Sequence, residues 1–353
     1  MIKVYLHIGI EKTGSSHLQS LCSINRELLR QNRIWYSGKG KVDDLSKKGE
    51  ISSGNAQKLA DFINQTATKK IITFLEENIE EAKTQECDKL LLSNELLLLA
   101  LADERKLNQF NEVFKKLKVE SVDLLLVLRD PVDQALSLYK HRAKNGKILD
   151  IEEWPNDFYF YGDALQNFLL NYNTYNFNLH VKKFNKTKGY LEDIFFKQWL
   201  GLDIKLNEPP KIVNPSLSLS ELILIRKMRE YNPQIVPLLY QNLIGLSKKS
   251  KSEDSELELY YKVTLSKHMK KFNKTWNICN SFLAREDALT IPQDLNQNFS
   301  MSDKNCTFSQ EQLNVLAKLI AESSNIKFGL QLLEMKLKQK FIRILKSLRL
   351  IPY

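Results

Sequence analysis

A cluster of residues suited to binding an anion follows the first strand-like run of the chain. The run KVYLHI covers residues 3–8 and leads into GIEKTGSS at residues 9–16, where an amphipathic helix begins. Main-chain N–H groups at a helix N-terminus bind phosphate, and the helix dipole strengthens that attraction. Gly9 and Gly14 let the main chain come close to a ligand. Lys12 supplies a positive charge, and hydroxyl donors come from Thr13, Ser15 and Ser16.

The two glycines have the spacing of a nucleoside-triphosphate-binding loop, but the lysine is in the wrong place for one. In the pattern G-x-x-x-x-G-K-[ST] the lysine follows the second glycine and reaches the β and γ phosphates. Here Ser15 follows Gly14, and Lys12 precedes that glycine. We therefore expect the loop to hold a shorter anion than a triphosphate.

A second cluster follows the strongest strand candidate, VDLLLVL at residues 122–128. Arg129 ends this run, Pro131 suits the first turn of a following helix, and Ser137 lies on that helix. An arginine at a strand end can contact a phosphate with two N–H groups, and a serine hydroxyl can add a bond. Taken alone, Arg129 could equally cap a helix or form an ion pair.

A third run, DKLLLSNE at residues 88–95, is apolar at its centre and ends in polar residues. We expect a buried parallel strand whose carboxyl end faces the site, which makes Glu95 the leading candidate for a general base. The alternative role for Glu95 is to cap an apolar helix at residues 96–102. His17 is a second candidate base, although packing beside the site or on the helix surface is its more ordinary role. Glu11 is expected to be exposed.

Strands and helices alternate through residues 1–200, which predicts a P-loop-like three-layer α/β fold: a central parallel sheet flanked by helices. In such sheets ligands bind at the carboxyl ends of the strands, where all three clusters lie. Beyond these clusters, the pattern predicts single helices at about 16–30, 55–84 and 131–144, several helical segments within 95–117, an exposed loop at 38–54 and a strand at 178–184. We divide the chain into a core at 1–230, a mostly helical part of the same domain at 231–334, and a basic tail helix at 335–353.

The composition is that of a globular protein with an excess of basic residues. The 353 residues include 52 lysines and arginines against 42 aspartates and glutamates, a formal net charge of +10. The basic residues form no single stripe, so most are expected on solvated faces. The four cysteines have neither metal-binding nor disulfide spacing, no leader segment is expected, and the apolar run at 90–102 is too short to cross a membrane. We expect a cytoplasmic protein with no metal and no nucleic-acid partner.

Both phosphate-binding clusters resemble those of sulfotransferases that use 3'-phosphoadenosine 5'-phosphosulfate (PAPS), especially the bacterial and carbohydrate-acting branch. The string KTGSS at residues 12–16 is similar to that family's K-[ST]-G-[ST]-[ST] loop. The string from Arg129 to Tyr139 is similar to its R-[ND]-P-x-x-[RQ]-x-x-S-x-Y element. The resemblance covers residues 1–230 well and the rest of the chain only loosely.

The resemblance implies a role for each matching residue. Lys12 would contact the oxygen that bridges phosphate and sulfate. Arg129 and Ser137 would bind the 3'-phosphate of PAPS or of the product, 3'-phosphoadenosine 5'-phosphate (PAP). The family uses a Glu or His base, acts on hydroxyl acceptors such as a glycan or another cell-surface polymer precursor, and needs no metal. The 5'-phosphate would be held by the amides and hydroxyls of Thr13, Gly14, Ser15 and Ser16.

A later stretch, PKIVNPSLSLSE from residue 210, carries an N-x-S-L-S string that resembles an element of the bacterial relatives. Asn214 and Ser216 would then contact the nucleotide. Ser218 or Ser220 could equally cap the apolar helix that follows, with Glu221 in its first turn.

Two other functions fit parts of the sequence. A P-loop kinase for a small molecule shares the strand–loop–helix start, but it needs a lysine after Gly14 and an acidic Mg²⁺ ligand, for which Asp130 or Glu95 would have to serve. A non-enzymatic protein that binds nucleic acid or an anionic surface would use the charge of +10. That second function does not explain why the special residues follow strands, so sulfuryl transfer is the function we expect.

The C-terminal segment at residues 335–353 has the pattern of a basic amphipathic helix. It holds no acidic residue, and its apolar positions recur at helical spacing. Such a helix can lie on an anionic membrane with its apolar face in the acyl boundary, or it can pack on the main domain. The basic positions are Lys336, Lys338, Lys340, Arg343, Lys346 and Arg349.

If the tail binds membrane, full-length protein should float with anionic liposomes, and a chain ending at Glu334 should not. Each basic residue near an anionic surface contributes on the order of 1 kcal/mol, so the attachment should be reversible and weakened by salt. Flotation with and without anionic lipid measures this. If both forms stay with the soluble fraction at low salt, the tail packs on protein instead.

Overall fold

The computed structural model describes residues 1–38, 40–50, 53–144, 150–158, 161–210, 217–231, 233–246, 255–292, 308 and 312–316. The strands within these ranges are β1 (Lys3–His7), β2 (Ile34–Trp35), β3 (Lys89–Ser93), β4 (Ser121–Leu128) and β5 (Asn178–Lys183). The helices are α1 (Ser15–Ile24), α2 (Arg26–Gln31), α3 (Gly40–Lys47), α4 (Gln57–Asn64), α5 (Thr68–Thr84), α6 (Leu97–Leu101), α7 (Glu104–Leu117), α8 (Pro131–Lys144), α9 (Trp154–Phe158), α10 (Tyr161–Asn171), α11 (Tyr190–Glu192), α12 (Leu219–Tyr231), α13 (Val236–Leu246), α14 (Ser255–Met269) and α15 (Asn273–Asn280). A π-helical segment, Asp193–Trp199, continues α11, and 3₁₀ turns cover Tyr172–Thr174, Lys270–Phe272 and Arg285–Asp287.

The strands form one parallel sheet in the order β2-β3-β1-β4-β5. Leu6 at the centre of the sheet lies opposite Leu92 on one side and Leu124 on the other. The runs Leu90–Leu92 of β3 and Leu124–Leu128 of β4 are continuously apolar and buried, because helices cover parallel strands on both faces. The predicted α/β fold with a central parallel sheet flanked by helices is confirmed.

The chain changes direction across the sheet at the pair β1 and β4. From β1 it continues to β2 and β3 on one side, and it then crosses to β4 and β5 on the other side. The loops that leave the carboxyl ends of β1 and β4 therefore diverge, and a crevice opens between them. Open α/β sheets bind their ligands at such a point.

Helix α1, which follows the first loop, is held on the sheet by apolar packing. Its Leu18 and Leu21 are completely buried in a cluster with Leu91 of β3, Leu125 of β4 and Phe195. Burying one leucine side chain contributes about 2 kcal/mol, so this packing fixes where the N-terminus of α1 points.

The prediction of an exposed loop at residues 38–54 is wrong for residues 40–47, which form α3. Glycine, lysine and aspartate are typical of a loop, but Asp43, one of the two aspartates of α3, is buried. Asp43 is 8% exposed and pairs with Arg26 of α2 and, at 3.0 Å, with Lys47. Ser20 also donates from α1 to the main-chain oxygen of Ser46 at 2.7 Å. These contacts come from distant segments and stabilise a helix that local composition does not favour.

Two predicted helices are divided, and one strand was missed. The helix expected at 16–30 is interrupted at Asn25, whose amide donates to the oxygens of Leu21 and Asn207 at 2.9 and 3.0 Å. The helix expected at 55–84 is interrupted before α5, where Thr66 has a φ of 51°. The missed strand β2 has only two residues, too few for a sequence pattern.

The chain divides into two compact units, residues 1–215 with 259–299 and residues 216–258 with 300–353. The first unit contains the sheet. In the second, Ser218 and Glu221 cap α12 reciprocally: the Ser218 N–H donates to Glu221 at 2.7 Å, and the Glu221 N–H donates to Ser218 Oγ at 3.2 Å. The capping role of Ser218 is thus confirmed. Asn214, Ser216 and the tail at 335–353 lie outside the described residues.

Mutation of Asp103 tests its role as the N-cap of α7. Asp103 accepts hydrogen bonds from the main-chain N–H groups of Arg105 and Lys106 at 2.9 and 3.2 Å. Replacing Asp103 with Ala should lower the free energy of unfolding in urea by about 1 kcal/mol, because two helix donors lose their acceptor. The control Asp203→Ala, at a side chain that is 86% exposed, should change it by less than about 0.5 kcal/mol. Equal effects of the two changes would contradict the capping role.

Candidate active site

The loop after β1 is shaped by two residues with positive φ. The Ile8 N–H still donates to the Leu125 oxygen of β4 at 2.9 Å, and the chain then turns away from the sheet. Lys12 has a φ of 70° and Gly14 a φ of 87°. A Cβ on Gly14 would lie 2.4 Å from Leu191 Cδ2, so only glycine fits there.

The N-terminus of α1 is arranged to receive an anion. Within the described residues no side chain caps this helix, and its first turn has no acidic residue. The first N–H groups that bond within the helix are those of His17 and Leu18, which donate to the Gly14 oxygen. Ser15 is 5% exposed, and its hydroxyl has no hydrogen-bond partner in the described part of the chain. A buried hydroxyl without a partner is costly, and an anion bound in front of α1 could accept its hydrogen bond.

The other predicted residues of the loop contribute unequally. Thr13 is completely buried, and its hydroxyl donates to the Ile10 oxygen at 2.7 Å, so it also holds the loop in shape. Ser16 and Lys12 are half-buried beside the helix N-terminus. The loop therefore presents main-chain N–H groups and the hydroxyl of Ser15 at the start of α1, with Lys12 two residues before Gly14.

Arg129 joins the second cluster to the first. Its Nη1 donates to the main-chain oxygen of Lys12 at 3.2 Å, and its guanidinium lies 5.3 Å above the ring of Phe184. Ser137 is half-buried on α8, about two turns further along the chain. The structure thus brings Arg129 against the first loop and places Ser137 on the helix that begins beside it.

A cavity of about 340 Å³ adjoins Arg129. Its basic and aromatic lining includes Lys183, Lys186, Phe184 and Tyr190. Two of its four acidic side chains already have cations: Asp130 pairs with Lys183 and Asp133 with Lys262, both at 3.1 Å. Burial raises the pKa of Asp133, but Lys262 and Arg129 outweigh that effect and hold it below its ordinary value. Three basic side chains and four acidic ones line the cavity, and its rings and size suit a flat ring placed beside Arg129.

The prediction that Glu11 is exposed is wrong. Its carboxylate is 15% exposed and accepts hydrogen bonds from Arg142 of α8, at 2.7 Å, and from the Tyr161 hydroxyl of α10. Its main-chain oxygen accepts from Gln134 Nε2 at 3.3 Å. Side chains of two helices, α8 and α10, therefore hold the loop at Glu11. The sequence offered no signal for this contact, because its partners are more than 120 residues away.

Glu95 lies just beyond the carboxyl end of β3. Burial raises its pKa, Glu11 adds to that effect, and Lys12 and Gln19 oppose it. Gln19 Nε2 donates to Glu95 Oε2 at 3.2 Å. The capping alternative for Glu95 is wrong: no side chain within the described residues caps α6, and the Leu96 N–H donates instead to Asn94 Oδ1 at 2.8 Å.

His17 contacts a carboxylate rather than the loop. Its Nε2 lies 2.8 Å from Glu192 Oε1, and this contact lowers the pKa of Glu192. Glu95, the other candidate base, lies within the electrostatic reach of Lys12, which lowers its pKa.

A buried chain of polar groups that sequence reasoning missed leads to Glu95. His7 Nδ1 lies 2.9 Å from Ser93 Oγ, which accepts a hydrogen bond from Gln19 Nε2 at 3.4 Å. Gln19 then reaches Glu95. His7 is completely buried, and a Cβ on Gly9 would lie 2.9 Å from its Nε2. The only available signal was a histidine inside an apolar strand.

Burial of His7 should make stability depend on acid. Burial lowers its pKa from 6.5 to about 4, so between these values the unfolded chain binds more protons and acid favours unfolding. From pH 7 to pH 5 this residue should remove about 2 kcal/mol from the free energy of unfolding. Urea titrations of the native chain and of His7→Asn at both pH values measure the difference. A loss of the same size in both proteins would show that His7 is not the cause.

Across the described ranges, no three His, Cys, Asp or Glu side chains come together as a metal site requires. None of the described helices combines the length and apolar character needed to cross a membrane. Neither a protein-family model nor a curated protein nor a solved structure matches the chain. A function must therefore be inferred from the site itself.

Proposed function

We propose that the chain is a sulfotransferase that moves a sulfuryl group from PAPS to a hydroxyl acceptor, a glycan or a similar polymer precursor. The observation that carries the proposal is the uncapped N-terminus of α1, with the unpartnered hydroxyl of Ser15, in contact with Arg129 through the Lys12 main chain. A donor with phosphates at both its 5' and 3' positions needs two such cationic places on neighbouring strands.

The first loop would hold the 5' end of the donor. The amides before α1 and the hydroxyls of Ser15 and Ser16 suit the 5'-phosphate, since fixed dipoles there need no rearrangement to bind an anion. Thr13 contributes its amide and keeps the loop in shape. Arg129, with Ser137 on the adjoining helix, would hold the 3'-phosphate at the mouth of the 340 Å³ cavity. The aromatic rings of Phe184 and Tyr190 suit a nucleoside in that cavity.

The reaction moves one group between two oxygens. The acceptor oxygen forms a bond to sulfur while the bond from sulfur to the 5'-phosphate oxygen breaks, and that oxygen keeps the electron pair. Lys12 would stabilise the negative charge that develops there, together with the amides of α1. Glu95 would take the acceptor's proton, because its raised pKa brings a carboxylate closer to the basicity that this step needs.

Calorimetry with two ligands tests the donor. PAP should bind in the micromolar range, and adenosine 5'-phosphosulfate, which lacks the 3'-phosphate, should bind at least about tenfold more weakly, since a charged hydrogen-bonded pair contributes about 1.5–3 kcal/mol. Arg129→Ala should abolish that difference. Arg33→Ala, at an exposed arginine paired with Asp88, should leave it unchanged. Equal affinities in the native chain, or binding of ATP only with Mg²⁺, would contradict the proposal.

Removing the charge of Lys12 tests the chemistry. Lys12→Ala should lower turnover by about 100-fold or more, the usual loss for a group that stabilises a transition state, while PAP binding falls less. Lys12→Gly should behave alike, because glycine adopts the positive φ without strain. Lys3→Ala, at the amino end of β1 and paired with Glu120, is the control. Normal turnover in both Lys12 variants would remove the residue from the mechanism.

A further inference from the structure

A second cavity, of about 500 Å³, lies in the first unit on the side of the sheet away from Arg129. It is a half-open pocket lined by α3, α4, α5, the end of α1 and the residues that follow β2. This volume is within the range of small-molecule binding sites. None of the donor-binding residues lines it, so the proposed function leaves it without a role.

The cavity adjoins Glu95 through two residues. A Cβ on Gly54, which lines the cavity, would lie 2.7 Å from Gln19 Nε2, the group that donates to Glu95. Gln57, also in the lining, accepts a hydrogen bond at 3.0 Å from Asn94, the neighbour of Glu95. Glu95 itself does not line the cavity, so a ligand there would lie behind Gly54 and Gln57, close to the proposed base. The φ of 72° at Gly54, and the 2.1 Å that would separate its Cβ from the Ser93 oxygen, require glycine at this wall.

The lining alternates aromatic rings with groups that form hydrogen bonds. Phe62 and Phe74 are half-buried, so part of each ring is accessible. Asn78 donates to the Phe74 oxygen at 2.7 Å, and its amide oxygen accepts no hydrogen bond within the described residues. Hydroxyl groups come from Ser23, Ser37, Ser46 and Thr73. Rings with apolar faces and hydroxyl edges, as in a sugar, match such a lining because both kinds of surface find a partner.

The charges of the lining nearly cancel. Asp43 already pairs with Arg26 and Lys47. The remaining charged side chains are three lysines and two glutamates: Lys58, Lys69, Lys70, Glu77 and Glu81. Lys70 also lies over the ring of Phe62, with Nζ 5.6 Å from its centre. These three lysines and two glutamates leave a net excess of one positive charge, too little to favour a polyanionic ligand.

We propose that this cavity binds a neutral sugar residue of the acceptor, one that neighbours the residue whose hydroxyl group reacts at Glu95. The proposal rests on the proposed function, which supplies the roles of Glu95 and the donor. To the proposed function it adds where the acceptor binds and that the sugar in the cavity is uncharged.

The test separates sugar binding from donor binding. The full-length chain is applied to an array of neutral and uronic-acid oligosaccharides, and PAP affinity is measured in parallel by calorimetry. Thr73→Trp fills the cavity from an exposed position of α5. Its matched control, Thr84→Trp, adds the same side chain at the exposed end of α5 outside the lining. Phe74→Ala removes an aromatic wall, and Phe282→Ala removes a half-buried ring that packs on Tyr172 instead.

We expect neutral oligosaccharides to be retained, and Thr73→Trp and Phe74→Ala to weaken that binding at least tenfold while both controls and PAP affinity stay unchanged. Retention of uronic-acid oligosaccharides alone, equal binding by Thr73→Trp and Thr84→Trp, or no retention of any neutral oligosaccharide would each overturn the proposal. If PAP binds in those cases, the proposed function stands without it. If PAP does not bind but the cavity variants lose a neutral sugar, the sugar site stands and the donor assignment fails.

Discussion

The pairing of β1 with β4 is the constraint on which the site depends. These two strands are neighbours in the sheet although 113 or more residues separate them in the chain, and their register sets Leu6 beside Leu124. Because both run parallel, their carboxyl ends meet at one edge, and the loop with Lys12 meets Arg129 there. Neither cluster would form a site for a doubly phosphorylated ligand alone. The buried leucines of the inner strands stabilise this pairing, so the core and the site share one origin.

The electrostatics of the site follow from what the helices contribute. The dipole and unbonded amides of α1 favour an anion in front of it, and the Ser15 hydroxyl is left without a partner until one arrives. The carboxylate of Glu11 would repel that anion, but Arg142 neutralises its charge and Tyr161 donates a hydrogen bond to it. Glu95 keeps a raised pKa through burial despite the nearby lysine. Charges of both signs thus lie close together, each held by a different element.

Much of the sheet, and the residues at the ligand-facing ends of its strands, could be predicted from the sequence, because both are local patterns. A continuous apolar run followed by polar residues marks a buried strand and its ligand-facing end, which is how Lys12, Glu95 and Arg129 were found. Contacts between distant segments left no such pattern. The helix α3 depends on the burial of Asp43 against Arg26, and the positions of Glu11 and His7 depend on partners far along the chain. The second cavity, of about 500 Å³, likewise results from packing between α3, α4 and α5.

Phosphorus NMR of bound PAP tests most directly the claim that one nucleotide occupies both clusters. The ligand has two phosphorus signals, one for each phosphate, and both should shift when the native chain binds. Ser15→Ala should reduce mainly the shift of the 5'-phosphate, and Arg129→Ala mainly that of the 3'-phosphate. If either change alters both signals equally, or if neither signal shifts with the native chain, the two clusters do not divide the nucleotide between them and the account is wrong.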